Sequence, residues 1–143
     1  MKFENYMLLE FPSKSSNEGF ARSAVAGFAA QMDPTLEELG DIRTAVSEAV
    51  TNCIVHAYPN GIGIIALRCR ILKDGVLDIV IKDKGVGIQN LEEARRPMFT
   101  TGGDDRSGMG FTIMESFMTS FSVSSVPGKG TTVHMRRKLK QRK

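Results

Sequence analysis

Several absences narrow the reading at once. No apolar run approaches the roughly 18 residues that a membrane-spanning helix needs. The first residues, Met1-Lys2-Phe3-Glu4-Asn5, bring an acid early and no apolar stretch, unlike a secretory leader. Cysteine is scarce: Cys53 and Cys69 are the only two, and without CxxC spacing they frame neither a zinc site nor a disulfide scaffold. Two buried, reduced thiols in a cytoplasmic protein are expected instead. A Gly-x4-Gly-Lys-Ser/Thr run is missing, which removes a P-loop, and Gly85-x-Gly87 lacks the third glycine of a dinucleotide fingerprint. With no internal repeat, low-complexity block or Pro/Gly/Ser linker, the 143 residues read as one domain of ordinary size, about 100–150 residues.

Acid is missing from one stretch. After Met135 come Arg136, Arg137, Lys138, Lys140, Arg142 and Lys143 without an acidic residue, so the overall +3 conceals a body of net −3 over 1–135. A basic run with no interleaved aromatics predicts a solvated tail (136–143) dispensable to a domain over 1–135, and no direct contact with nucleic acid. The body itself can build a core, since 41% of the chain is hydrophobic.

What is present has clear periodicities. Residues 2–11 alternate loosely and end at Pro12, predicting a strand. From 16 to 31, Phe20, Ala24, Val25, Phe28 and Ala29 recur at helical spacing, and Asp33-Pro34 stops that helix. Thr35 and Glu38 form a capping-box pair opening a second helix to about His56, with Leu39, Ile42, Val46, Ala49, Val50 and Cys53 on its apolar face. Strands are predicted over 62–72 and 76–82, joined through Lys73-Asp74-Gly75, and again over 121–126 and 131–139. A further helix over 111–121 turns Ile113, Met114 and Phe117 inward. This order predicts an α+β fold, a two-layer α/β sandwich with helices on one face of a mostly antiparallel mixed sheet.

The stretch 83–107 does not fit a plain domain. Irregular segments longer than about 12–15 residues are usually functional. Its borders are glycine-rich, Asp83-Lys84-Gly85-Val86-Gly87 after a strand and Ser107-Gly108-Met109-Gly110 before a helix. Glycine permits close backbone approach, and free N–H groups at a helix start suit phosphate. Taken singly, each pair is equally a tight turn. Glu48, Asn52 and His56, spaced i, i+4, i+8, lie along one stripe bordering the apolar face of the second helix. Glu48 and Asn52 read either as a structural hydrogen-bonded pair or as a general base with an oxygen ligand for Mg²⁺. His56 reads as a helix-end histidine suited to the dipole.

Together these pieces carry a resemblance. Glu48-Ala49-Val50-Thr51-Asn52, Asp83-Lys84-Gly85-Val86-Gly87, Gly108-Met109-Gly110 and Gly130-Thr131-Thr132 resemble, in order, the N box and three glycine boxes of the GHKL ATPase/kinase superfamily. Phe20-Ala21-Arg22, Asp33-Pro34-Thr35, Phe99-Thr100-Thr101 and the run from Arg106 to Glu115 are similar to the anti-sigma F family of spore-forming bacteria. Those proteins are serine kinases that sequester a sigma factor.

The resemblance implies the GHKL (Bergerat) ATP-binding fold, with ATP or ADP and Mg²⁺ held between the helix layer and the long segment. Asp83 would accept a hydrogen bond from the adenine amino group, Gly85 and Gly87 would make room for the nucleotide, and Thr131 would support the adenine pocket. Thr100, Thr101 and Ser107 would line the nucleotide, and the N–H groups of Gly108, Met109 and Gly110 would cradle its phosphates. Asn52 would hold Mg²⁺, Arg106 would neutralise charge on the γ-phosphate, and Glu48 would orient or deprotonate a serine hydroxyl. Arg22 would meet partner proteins. The implied partners are a sigma factor (sigma F), an anti-anti-sigma factor phosphorylated on serine, and a second copy in a homodimer; a membrane is not among them. The stretch from Thr100 to Arg106 is shorter and richer in glycine than its family counterpart, which bears on how firmly the γ-phosphate is enclosed.

Overall fold

Alternation of apolar and polar residues, read against strand register, places the two layers. The computed structural model describes residues 3–94 and 110–140. Five strands, β1 (Phe3–Pro12), β2 (Ile64–Leu72), β3 (Val76–Asp83), β4 (Ser120–Val126) and β5 (Gly130–Lys138), form one sheet in the order β1-β2-β3-β5-β4. All four described pairings are antiparallel, so the expected mixed character is absent among the described residues. Ile65, Leu67 and Cys69 of β2, Leu77, Ile79 and Ile81 of β3, and Val133 and Met135 of β5 share a buried cluster with the helices. Period-2 geometry sends the residues between them to the opposite, open face.

The helices are α1 (Ser16–Ala29), α2 (Leu36–Asn52), the single turn α3 (Leu91–Ala94) and α4 (Gly110–Phe117). The capping box forms as expected: the Glu38 N–H donates to Thr35 Oγ1 at 3.0 Å, and the Thr35 N–H to Glu38 Oε1 at 2.9 Å. Two apolar assignments are corrected. On α1 Val25, Phe28 and Ala29 are buried as expected together with Ala21, while Phe20 stays 57% exposed. On α4, Met114 is buried and Phe117 is exposed. In both cases the packed face is set by the residues that let α2 approach, and the larger ring is left outside.

The helix α2 does not run as a regular α-helix to His56. At Cys53 it widens into a π turn, Cys53–Ala57. Such turns are rare and concentrate at functional sites.

The basic tail is also corrected. Strand β5 continues through Lys138, and Leu139 is buried in the core cluster. Arg136 Nε donates to Asp78 Oδ1 at 2.8 Å, Arg137 Nη1 to Asp41 Oδ2 at 2.7 Å, and the Lys140 N–H to Glu38 Oε2 at 2.9 Å. Residues 136–140 are therefore a fastened part of the domain: Arg136 and Arg137 each meet an acid that composition alone could not place opposite them, and the Lys138 and Lys140 N–H groups are held by Thr119 and Glu38.

One such acid lies in the middle of the open sheet face. Asp78 is fully buried although no helix covers it, because cross-strand neighbours close over it. Arg70 and Arg136 are its register partners on β2 and β5. Arg70 donates to Oδ2 at 3.1 and 3.2 Å, and His134 Nε2 lies 2.6 Å from Oδ1. Burial alone would raise the Asp78 pKa; the hydrogen bonds from His134 and Arg136 outweigh it and hold the carboxyl below the usual range.

Candidate functional site

Two polar clusters meet at the C-terminal end of α2. The first is built on Asp83, the last residue of β3, whose side chain is 5% exposed. Its Oδ1 accepts the N–H of Gly85 at 2.9 Å and that of Thr131 at 3.3 Å. Its Oδ2 accepts the Cys53 thiol at 3.4 Å. Burial, reinforced by the Asp83 charge, pushes the Cys53 pKa well above the ordinary thiol range.

Around this carboxylate the backbone is packed tightly. The Val86 N–H donates to the Ala57 carbonyl at 2.8 Å. A Cβ on Gly85 would overlap that same carbonyl. Gly87 has φ +75°, and a Cβ there would overlap the Val126 carbonyl. The expectation that these two glycines make room for a nucleotide is thus refined: the space beside each is taken by the protein's own main chain. Glycine here lets the β3 loop seat against the π turn and the β4 end, and so shapes the wall of the site indirectly.

The second cluster is built from α2 and α4. A Cβ on Gly110, the first residue of α4, would lie 3.1 Å from Asn52 Nδ2 and 3.3 Å from Glu48 Oε1. Glu48 and Asn52 therefore converge, one turn apart, on a glycine at a helix N-terminus. The positive dipole end of a helix favours an anion. Asn52 and Cys53 are adjacent in sequence, so one helix end serves both clusters. Among the described residues no group of three His, Cys, Asp or Glu could cage a metal ion.

Of the expected site residues, the structure thus joins Glu48 and Asn52 with Gly110, and Asp83 with Gly85 and Thr131, while Gly87 locks the loop onto β4. Thr100, Thr101, Arg106, Ser107, Gly108 and Met109 lie outside the described residues. Arg22 pairs with Glu18 on α1, 3.7 Å apart, and with none of the groups of the two clusters. His56 is half-buried within the π turn.

Three supporting residues escape sequence reasoning. Besides Cys53, Ser125 Oγ accepts the Ile88 N–H at 2.8 Å and lies 2.7 Å from Thr131 Oγ1. Ser125 and Thr131 are register partners on β4 and β5, a relation visible only once the strands are paired. The Tyr58 hydroxyl donates to the Ile64 carbonyl and accepts the Lys84 N–H, both at 2.8 Å. It ties the π turn to the loop after β3.

Fold and site together define a class. The family model described as the histidine kinase-like ATPase domain matches residues 11–137. Solved structures agree at the level of fold. The RsbU and RsbW domains of Rv1364c from Mycobacterium tuberculosis superpose with a TM-score of 0.69 at 16% identity, covering 95% of this chain and 32% of that one. The histidine kinase domain of the Erythrobacter litoralis EL346 blue-light activated histidine kinase gives 0.59 at 20% identity, covering 85% and 61%.

Within that class the chain belongs to the anti-sigma F factor family. It is 57% identical over 136 residues to the anti-sigma F factor of Caldanaerobacter subterraneus subsp. tengcongensis, covering 94% of both chains. It is 52% identical over 137 residues to that of Clostridium acetobutylicum, covering 95% of both.

Proposed function

We propose that this protein binds and inhibits a sporulation sigma factor, sigma F, and that it phosphorylates a serine of an anti-anti-sigma factor at the expense of ATP. The observation that carries the enzymatic half is the convergence of Glu48 and Asn52 on Gly110 at the start of α4. A carboxylate, an amide oxygen and a helix N-terminus in one place are what phosphoryl transfer to a hydroxyl requires. Catalysis of this kind is mostly positioning and charge stabilisation.

In this reading the adenine amino group hydrogen-bonds to Asp83, with Thr131 behind it. The phosphates lie toward Gly110 and the preceding Ser107, Gly108 and Met109, and Thr100 and Thr101 line the nucleotide. Asn52 would hold Mg²⁺, which would supply positive charge to offset that of the phosphates. The serine Oγ forms a bond to the γ-phosphorus as the bond to the β–γ bridging oxygen breaks. Its proton passes to Glu48 and ADP leaves. Arg106 offsets charge building on the transferred group. Arg22, half-buried on α1, contacts the protein partners, and a second copy packs on the open sheet face. Family membership supports the sigma partner, since the relatives bear the name anti-sigma F factor.

The test is transfer of labelled phosphate from Mg·ATP to the anti-anti-sigma protein. Glu48→Gln is expected to lower the transfer rate by about 10²–10⁴-fold while ATP binding is retained. Near-normal transfer by that variant would remove Glu48 as the base. ATP binding without transfer in the unmodified chain would instead leave a sequestering module that uses ATP as a structural ligand.

A further inference from the structure

The proposed mechanism makes no use of the Cys53 thiol, although that thiol is packed against the carboxylate assigned to the base. Cys53 opens the π turn and is 5% exposed. An ionised carboxylate offers about four lone-pair positions. At Asp83 three are filled, each from a different element: the loop after β3 through the Gly85 N–H, β5 through the Thr131 N–H, and the π turn through the Cys53 thiol.

The distribution is uneven. Both backbone donors bind Oδ1, and the thiol is the one described donor to Oδ2. The terminal torsion of an aspartate is broad, so a carboxylate held at one oxygen alone can swing. Held at both, it presents its fourth lone pair in one direction.

We propose that Cys53 is a positioning residue for base recognition: its thiol fixes the rotation of the Asp83 carboxylate so that the remaining lone pair of Oδ2 meets an exocyclic amino group. This favours an adenine over a guanine base, whose corresponding edge carries a carbonyl oxygen that would face a second acceptor. The proposal rests on the reading of Asp83 given above. Cys53 acts through Asp83 and does not touch the nucleotide.

The test is calorimetric titration of the full chain with Mg·ATP and with Mg·GTP, for the unmodified protein, Cys53→Val, Cys53→Ser and Asp83→Asn. Thermal melting confirms that each is folded, and Cys53→Ala replaces the valine variant if valine is not accommodated. Valine fills similar volume without a donor. It is expected to weaken ATP binding about three- to tenfold, the range for one lost hydrogen bond, with GTP unchanged, so that the ATP:GTP ratio falls. Serine keeps a donor and is expected to restore the ratio, whatever it does to the melting temperature.

A ratio unmoved by Cys53→Val but collapsed by Asp83→Asn overturns the role of Cys53 and leaves the reading of Asp83 standing. A ratio unmoved by Asp83→Asn overturns that reading and the proposal with it. A fall in the valine variant that serine does not rescue makes the position one of packing only, and also overturns the proposal.

Discussion

Between Gly85 and Ala57, one missing carbon lets the loop after β3 close against the helix layer. The Ala57 carbonyl accepts the Val86 N–H and occupies the space where a Gly85 side chain would begin. Main chain cannot yield as a flexible side chain does, so Gly85→Ala is expected to cost roughly 1–3 kcal/mol of stability, the range for overpacking. It should also weaken ATP binding, because the loop carries the Gly85 N–H that holds Asp83. Gly40→Ala is the control. It sits in α2 with open space around it and should leave the midpoint unchanged or raise it, as alanine favours helix. Thermal unfolding checks both; an unmoved midpoint for Gly85→Ala would show that the contact is unimportant. Residue type and spacing single out Glu48, Asn52 and Gly85 as candidates, and Asp83 becomes one through the family resemblance. The neighbour that requires glycine at 85 was not legible, since it lies 28 positions back across a helix whose widening at Cys53 no 3.6-residue arithmetic anticipates.

Strands couple through register, and Asp78 is where that coupling is most concentrated. Its charge is balanced from β2 and β5 at once. Because its folded pKa lies below the ordinary value of about 3.9, the ionised form adds stability that is fully present at neutral pH. That stability is lost as pH falls below the ordinary value and through the depressed one. Asp78→Asn is therefore expected to lower unfolding stability by about 1–3 kcal/mol at pH 7, less than for a fully buried ion pair because the arginines keep some access to water. Urea denaturation from pH 7 down to pH 3 should show the gap between the two proteins shrinking at the acid end. A gap that does not change with pH would mean that the carboxylate's charge is not what matters. At this scale local signals were reliable and distant ones were not. The Thr35–Glu38 cap could be read in four residues. Arg136 and Arg137 looked like a loose tail because their partners, Asp78 and Asp41, are far away in sequence. Phe20 and Phe117 were drawn inward by their size, whereas small Ala21 allows the close approach of helices.

Among the described residues, a helical layer lies on one side of the sheet and no element covers the other. Tyr6, Leu8 and Ile64 are 58%, 61% and 54% exposed along β1 and the neighbouring end of β2. Apolar side chains on a face without cover suit a second copy, and β1 is an edge strand paired only with β2 among the described residues. Sedimentation velocity at micromolar concentration is expected to find a dimer that Tyr6→Glu with Leu8→Glu converts to a folded monomer. A monomer before substitution would discard the homodimer. The strand order has a consequence of another kind, in the making of the chain. Strand β5 is the last of the five to be synthesised, yet it lies inside the sheet, between β3 and β4. Until its residues are available, β3 has an open edge, Asp78 lacks Arg136, and Asp83 lacks the Thr131 N–H. Segments usually begin to fold as they emerge from the ribosome; here the 129 residues that precede β5 must wait. Translation broken off before β5 leaves an unfinished sheet whose exposed edge invites aggregation or proteolysis.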